Sequence, residues 1–248
     1  MAFCDDFKDI KAGRVKGKTQ KDFFFSEVKA RSGCNFPFTQ PSDFTSNIYK
    51  VLDASDCIYE ELTENNVNID VSVIGAVTEE ICQLGLQVAA PQRYGRLPKT
   101  WEWVGDFAIT GIPFNLFISV KSYKAKERLI VSGTGQFAAP IIVFGLFDDI
   151  SEWSERRVLQ YKQRGFLAIY VPDQKISSLS GKPYRASGKE NNLPNNLYSR
   201  LAAKRGSHGP VTDIENIYGN KLIRPLESFA QDIAKLIKTN LELDLSRL

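Results

Sequence analysis

The chain has 248 residues, of which 43% are hydrophobic and 25% are charged, and its formal net charge is +3. A chain of this size forms one large α/β domain or two small ones, with enough apolar residues to bury a core. Its single histidine, His208, argues against a histidine-based catalytic triad and excludes a multi-histidine metal centre, and its four scattered cysteines indicate neither a zinc site nor a disulfide framework.

The N-terminal forty residues are basic and include three consecutive phenylalanines, Phe23, Phe24 and Phe25. No apolar leader precedes them and no apolar run reaches membrane-spanning length, so we expect a soluble, cytoplasmic protein without membrane contact. A second basic cluster lies between Lys182 and Arg205. Two separated basic stretches suit the walls of a groove for a phosphate backbone, although basic clusters are about as often plain solvated surface.

Two helices are predicted next. Residues 42–65 have helical character, with Ser42 or Asp43 as the N-cap. Between residues 66 and 90, apolar residues recur at three- and four-residue spacing, which predicts a helix with one buried stripe that Pro91 ends. The stripe consists of Ile74, Val77, Ile81, Leu84 and Val88.

The hydrophobic period then changes. Alternation of side-chain character from Trp101 to Thr110 predicts a strand. Gly111-Ile112 supplies a turn, and residues 114–121 are predicted to form a second strand. Residues 122–137, with a charged first half and a glycine-rich end, favour no single structure.

Two further strands are predicted to lie at the centre of a sheet. Residues 140–147 and 166–171 are apolar throughout, which is typical of strands covered on both faces. Residues 148–165 predict a helix with Ser151 as its N-cap, and an amphipathic helix is predicted from Ile223 to about Leu248. This order of elements predicts an α/β fold, a mixed β-sheet flanked by helices.

The predicted hairpin brings an acid and a lysine together. Ser119 and Lys121 lie two apart on a strand and therefore emerge from the same face. If Gly111-Ile112 is a two-residue hairpin loop, Asp106 falls opposite Phe117, which shares that face. A three-residue loop without a bulge would reverse this parity.

A carboxylate beside a lysine suits hydrolysis of a phosphodiester bond. Asp106 can hold Mg²⁺ through oxygen, and the backbone carbonyl of Val120 can complete the metal shell. Bound Mg²⁺ lowers the pKa of its water and neutralises charge in the transition state. Lys121 can orient or deprotonate the attacking water, or stabilise that same charge.

Two segments carry a resemblance to a known family: TWEWVGDFAI and FNLFISVKSYKAKERL. Together with the strand, helix and strand that follow, they resemble the core of the PD-(D/E)XK nucleases, and most of all a type II restriction endonuclease. The resemblance covers about residues 75–172. It implies a restriction-endonuclease-like fold and a single nuclease domain over residues 1–248, with a catalytic core at about 70–172. Asp106 and Lys121 match the family's Asp and Lys.

The chain departs from the family pattern at two positions. Gly105 replaces the usual Pro, and Ser119 replaces the usual acid, so that one metal ligand is missing. Restriction enzymes with a Ser-x-Lys variant recruit a Glu either downstream of the Lys, where Gly135 and Gln136 stand here, or from the helix before the first strand.

That preceding helix has two consecutive acids, Glu79 and Glu80. At about 100° per residue, Glu80 flanks the apolar stripe and Glu79 points almost opposite it. Glu80 is therefore the predicted catalytic acid and metal ligand beside Asp106, although a helix Glu is more often an ordinary solvent-facing residue.

Candidate DNA contacts are basic, aromatic and amide side chains outside the core strands. Residues close to the hairpin suit phosphates, and a later polar stretch has the side-chain types that read base edges, although such stretches are more often plain loops. The candidates are Arg93, Arg96, Tyr123, Lys124, Lys126, Arg128, Arg185, Lys189, Asn191 and Asn192.

These residues and the resemblance predict a Mg²⁺-dependent type II restriction endonuclease that cuts double-stranded DNA at a short sequence. Such enzymes usually act as homodimers, and the C-terminal helix is the predicted contact. One alternative keeps the fold but acts in repair or on DNA structure. The other is a catalytically inactive DNA-binding protein, for which Ser119 is the main argument.

Overall fold

Four helices precede the sheet in a computed structural model that describes residues 2–101, 103–111, 115–122, 141–147, 153–173, 197–207 and 209–238. The two helices predicted within residues 42–90 are confirmed. Two earlier helices were not predicted, because the run of phenylalanines near residue 24 lacks helical spacing even though Phe24 and Phe25 are buried. The four helices are α1 (Ala2–Lys11), α2 (Gln20–Arg31), α3 (Pro41–Glu64) and α4 (Val71–Ala89).

A six-stranded mixed sheet follows, with the strand order β1-β2-β3-β4-β5-β8. β2 runs antiparallel to β1 and β3, whereas the pairs β3–β4, β4–β5 and β5–β8 are parallel. A separate two-stranded hairpin joins β6 and β7. The strands are β1 (Tyr94–Arg96), β2 (Phe107–Ile109), β3 (Leu116–Lys121), β4 (Ile141–Gly145), β5 (Phe166–Val171), β6 (Arg205–Gly206), β7 (Gly209–Pro210) and β8 (Ile223–Pro225).

Helices cover both faces of this sheet. The remaining described helices are α5 (Glu155–Gln163), α6 (Leu197–Ala203) and α7 (Phe229–Lys238). Phe107, Ile118 and Phe144 line the first face and pack with buried residues of α1–α4 and α7. Val143 and Ile169 line the second face and pack with buried residues of α5 and α6. The predicted α/β class with a mixed, helix-flanked sheet is therefore confirmed.

Two element boundaries in the middle of the chain differ from prediction. Trp101 ends a 3₁₀ helix (Lys99–Trp101) rather than starting a strand, because its N–H donates to Pro98 O at 2.8 Å and closes a helical turn. α5 begins after Ser154, whose Oγ accepts from Arg157 N, and the predicted cap Ser151 lies outside the described residues.

The C-terminal helix begins later than predicted. Residues Ile223–Pro225 form β8, which pairs with β5 through Ile169 and Ile223. Pro225 has a fixed φ and no N–H, and the helix starts only at Phe229. Residues 239–248 lie outside the described part of the chain. Within that part, no helix is both long enough and apolar enough to cross a bilayer.

Candidate active site

The β2–β3 hairpin has a different register from the one predicted. Ala108 pairs with Phe117 and Phe107 with Ile118, so Asp106 does not fall opposite Phe117. The two-residue turn was wrong because the connection is longer, and residues 112–114 of it lie outside the described residues. The register differs by two residues, an even shift that leaves the side chains of β2 itself, Phe107–Ile109, on their predicted faces.

Asp106 lies one residue before β2, and its backbone and its carboxylate both form hydrogen bonds to neighbouring segments. Its N–H donates to Ile118 O at 2.8 Å, and its carbonyl oxygen accepts from Leu97 N at 2.9 Å. Its Oδ2 accepts from Val120 N at 2.6 Å. If β2 were longer, one of its backbone carbonyls would accept the hydrogen bond from Val120 N. Here the Asp106 carboxylate accepts it instead.

The backbone of β3 directs the Val120 carbonyl toward the same gap. Alternate residues of a strand turn their N–H and C=O groups to the same neighbour. Ile118 O accepts from Asp106 N on the β2 side, and Lys121 O accepts from Leu146 N at 2.9 Å on the β4 side. Val120 therefore directs its carbonyl to the side on which the Asp106 carboxylate lies.

Ser119 and Lys121 occupy the same face of β3, as predicted. Ser119 pairs with Val143 and Lys121 with Gly145. Ser119 is 1% exposed, and its hydroxyl has no hydrogen-bond partner within the described structure. Lys121 is half-buried at the end of the strand. Ser119 has a neutral hydroxyl and no carboxylate, so its side chain cannot supply the missing acidic metal ligand.

α4 packs against β3 and presents both of its acids at the rim of its buried face. The buried arc includes Thr78, Cys82 and Leu86 in addition to the predicted stripe, so it is wider than predicted. Glu79 therefore flanks this face, and the prediction that it points away from the sheet is wrong. Its side chain is 24% exposed, and that of Glu80 is 20% exposed.

The two acids have different partners. Glu80 Oε1 lies 2.9 Å from Lys21 Nζ of α2, and this hydrogen bond raises the pKa of Lys21. Arg96 bonds to Glu79, and its Nη2 lies 3.5 Å from Glu80 Oε1. Among the described residues, Glu80 is thus shared between two cations, whereas Glu79 is paired with one.

Glu79 is also coupled to Asp106. Burial raises the pKa of Glu79, the charge of Asp106 raises it further, and Arg96 acts in the opposite direction. Burial also raises the pKa of the Cys82 thiol well above its ordinary 9.0, with Asp106 and then Glu79 as further causes. Asp106 and Glu79 therefore lie within electrostatic range of each other.

These donors fit a hard divalent cation. Two carboxylates and a backbone carbonyl are the oxygen ligands that Mg²⁺ accepts, and a cation would offset the repulsion between Asp106 and Glu79. Among the described residues, no three His, Cys, Asp or Glu side chains are gathered as a metal site. A Mg²⁺ ion would therefore depend on Val120 and water for its remaining ligands, as Mg²⁺ commonly does.

The predicted DNA contacts are placed only in part. Arg93 is half-buried. Arg96 pairs with Glu79 and Glu80, and its guanidinium lies 5.1 Å from the Phe107 ring centroid. This role of Arg96 was not predicted. The other candidates lie outside the described residues: Tyr123, Lys124, Lys126, Arg128, Arg185, Lys189, Asn191 and Asn192.

Sequence reasoning also missed Lys21 as the partner of Glu80. The two residues are 59 positions apart, and only the packing of α2 on α4 joins them. The charge pattern of either helix alone carries no signal for such a pair.

Comparison of the chain with protein-family models, with curated proteins and with solved structures gave no match. The function is therefore inferred from the geometry and chemistry of the site's own residues.

Proposed function

We propose that the protein is a Mg²⁺-dependent nuclease, a type II restriction endonuclease that cuts double-stranded DNA at a short sequence. The observation that carries this proposal is the 2.6 Å hydrogen bond between Asp106 Oδ2 and Val120 N. It ties the first acid to the Ser-Val-Lys segment, with the Val120 carbonyl directed to the same side.

In this proposal Asp106 and Glu79 hold the metal together with the Val120 carbonyl. Glu79 replaces the predicted Glu80 because it is coupled to Asp106, whereas Glu80 is shared by Lys21 and Arg96. Mg²⁺, when bound, supplies an acidified water and neutralises charge on the phosphate. Lys121 orients the attacking water or takes its proton.

The topology supports the same proposal. α4, the β2–β3 antiparallel hairpin, the parallel pair β3–β4, α5 and β5 follow the order expected from the PD-(D/E)XK resemblance. The hairpin lies near one edge of the sheet, and in the described sheet β1 alone lies beyond it. The ends of β2 and β3 are therefore close to solvent, as a polymeric substrate requires.

The charge distribution adds a further argument. The described residues of 153–225, most of which form the layer over the second face, include nine Lys and Arg but only four Asp and Glu. Residues 2–101 include twelve and fourteen, respectively. The basic layer lies on the face that Lys121 shares, so a phosphate backbone is attracted to that side.

The test is incubation of the purified full-length chain with mixed duplex DNA and Mg²⁺, followed by sequencing of the ends. We expect discrete fragments with one common terminal sequence, and none in EDTA. Nicks confined to mismatches or junctions would instead indicate a repair or structure-selective nuclease. Intact DNA at every divalent cation concentration would overturn the proposal.

One observation favours a second candidate, an inactive DNA-binding protein. Ser119 is buried, and both acids of α4 are already bonded to cations. Isothermal calorimetry with Mg²⁺, with and without DNA, separates the candidates: heat of metal binding supports the nuclease, and its absence under both conditions supports the inactive protein.

A further inference from the structure

Two tryptophans form an exposed pair beside the candidate active site. Trp101 is 51% exposed and Trp103 is 61% exposed. Their ring centroids lie 6.1 Å apart at an interplanar angle of 18°, so the indoles stack on each other. Large aromatic side chains are usually buried, and two of them stacked in water indicate a binding surface.

Backbone hydrogen bonds link the segment that carries the pair to Asp106. It sits in the loop between β1 and β2, which the backbone bond from Leu97 N to Asp106 O closes at 2.9 Å. Within the loop, Val104 N donates to Trp101 O at 2.9 Å, and the Val104 side chain is buried. The residue that closes this loop is thus the same residue whose carboxylate bonds to Val120 N.

A cation completes the surface. Lys99 begins the 3₁₀ helix that ends at Trp101; it is exposed and makes no ion pair within the described residues. An aromatic pair and a lysine in the same loop match the two parts of a nucleotide, since a base can stack on the rings and a phosphate can pair with the cation.

From these features we infer that Trp101 and Trp103 form a stacking platform for an unpaired nucleobase of the DNA held at the active site. The inference rests on the proposed nuclease function, and it adds that the substrate is engaged where its bases are unstacked. Any base can stack on an aromatic face. The platform therefore contributes binding affinity and local opening of the duplex, whereas other residues read the DNA sequence.

The test measures binding without cleavage. A short fluorescent single-stranded oligonucleotide and its duplex are titrated against the full-length protein in EDTA, and anisotropy is followed together with tryptophan emission. Trp153, the third tryptophan, is fully buried and contributes a constant background. We expect the single strand to quench the emission, and W101A/W103A to weaken its binding by about 5- to 150-fold per stacked base.

Two further variants control this result. W101F/W103F keeps two rings and should retain most of the affinity. Val71→Ala removes an apolar side chain that is 73% exposed in the N-terminal helical layer, outside the proposed DNA-binding surface, and should change nothing. Circular dichroism checks that the variants fold.

Equal affinity of W101A/W103A and the wild type for the single strand would overturn the inference. So would a change in oligomeric state with unchanged DNA binding, which would assign the pair to an interface between copies. If the wild type cleaves DNA while W101A/W103A binds normally, only this inference fails. If the pair binds single strands but no DNA is cleaved, only the proposed nuclease function fails.

Discussion

At the scale of single residues, Asp106 has a structural role beside the chemical role that we propose for it. Its Oδ2 accepts from Val120 N just outside β2, which satisfies an amide that the short strand leaves unpaired. Its negative charge contributes to the raised pKa values of Glu79 and of the Cys82 thiol. Two substitutions can separate these roles.

Asp106→Asn keeps an oxygen that accepts from Val120 N but removes the charge. We expect its thermal unfolding midpoint to stay near that of the wild type, while the cleavage rate falls by about a hundredfold or more. Asp106→Ala should lower both, since the Val120 amide is left without an acceptor at a cost of about 1–3 kcal/mol. If D106N cleaves at the wild-type rate, Asp106 has a structural role only.

The second prediction distinguishes the two acids of α4. Glu79→Gln should slow Mg²⁺-dependent cleavage by at least ~100-fold, because it removes the carboxylate that is coupled to Asp106. Glu80→Gln is the matched control and should change the rate only a few-fold, because Glu80 bonds to Lys21 and Arg96. Cleavage rates of the two variants, measured over a Mg²⁺ titration, show which of the two acids binds the metal. The reverse order of effects would restore Glu80 as the ligand, as the sequence predicts.

At the scale of elements, the spacing between β2 and β3 depends on a glycine. A Cβ added at Gly105 would lie 2.8 Å from Ile118 O, a backbone atom that cannot turn aside. The lack of a side chain at Gly105 lets the segment before Asp106 approach β3, which brings the carboxylate to Val120.

Gly105→Ala should therefore destabilise the protein by about 1–3 kcal/mol, the usual cost of overpacking, and should also impair cleavage. Gly95→Ala on β1 is the control, since a Cβ there meets nothing within 4 Å. Denaturant unfolding and cleavage rates are the measurements. A G105A protein as stable and active as G95A would show that this approach is not required.

At the scale of the whole molecule, charge is distributed unevenly over the two layers. In the helical N-terminal layer many cations are paired with acids, as Lys11 is with Asp70 and Arg14 with Asp9. In the other layer, a groove of about 360 Å³ is lined mainly by polar residues, among them Arg156, which makes no ion pair within the described residues. Among the described residues, the second layer therefore carries the larger excess of positive charge.

The last prediction concerns this basic layer. Replacing exposed Arg156 and Arg205 with Ala should weaken duplex binding and reduce the slope of log affinity against log salt by ~0.9 for each phosphate that is no longer neutralised. Replacing exposed Lys16 and Lys18 in the N-terminal layer removes the same charge and serves as the control. Affinities measured over a salt series should separate the two pairs. An equal weakening in both would place the duplex-binding surface elsewhere or make the binding non-specific.

The central elements of the fold could be predicted from local sequence patterns. β4 and β5 were predicted because each is a short apolar run, and β3 because it follows the predicted turn as the second strand of the hairpin. α3 and α4 were predicted from their helical character and, in α4, from the helical spacing of apolar residues. Burial of apolar side chains at a regular period is enough to specify both types of element. The shared face of Ser119 and Lys121 also followed from the strand period.

The geometry of the site could not be predicted in the same way. The hairpin register depends on the length of a turn, the partner of Glu80 comes from a helix 59 residues away, and the burial of Glu79 depends on how widely α4 is covered. Each of these is set by contacts between elements, which a local pattern does not encode. Asp106 was identified from the sequence, but its bond to Val120 and its coupling to Glu79 arise because tertiary packing places it beside β3 and within electrostatic range of α4.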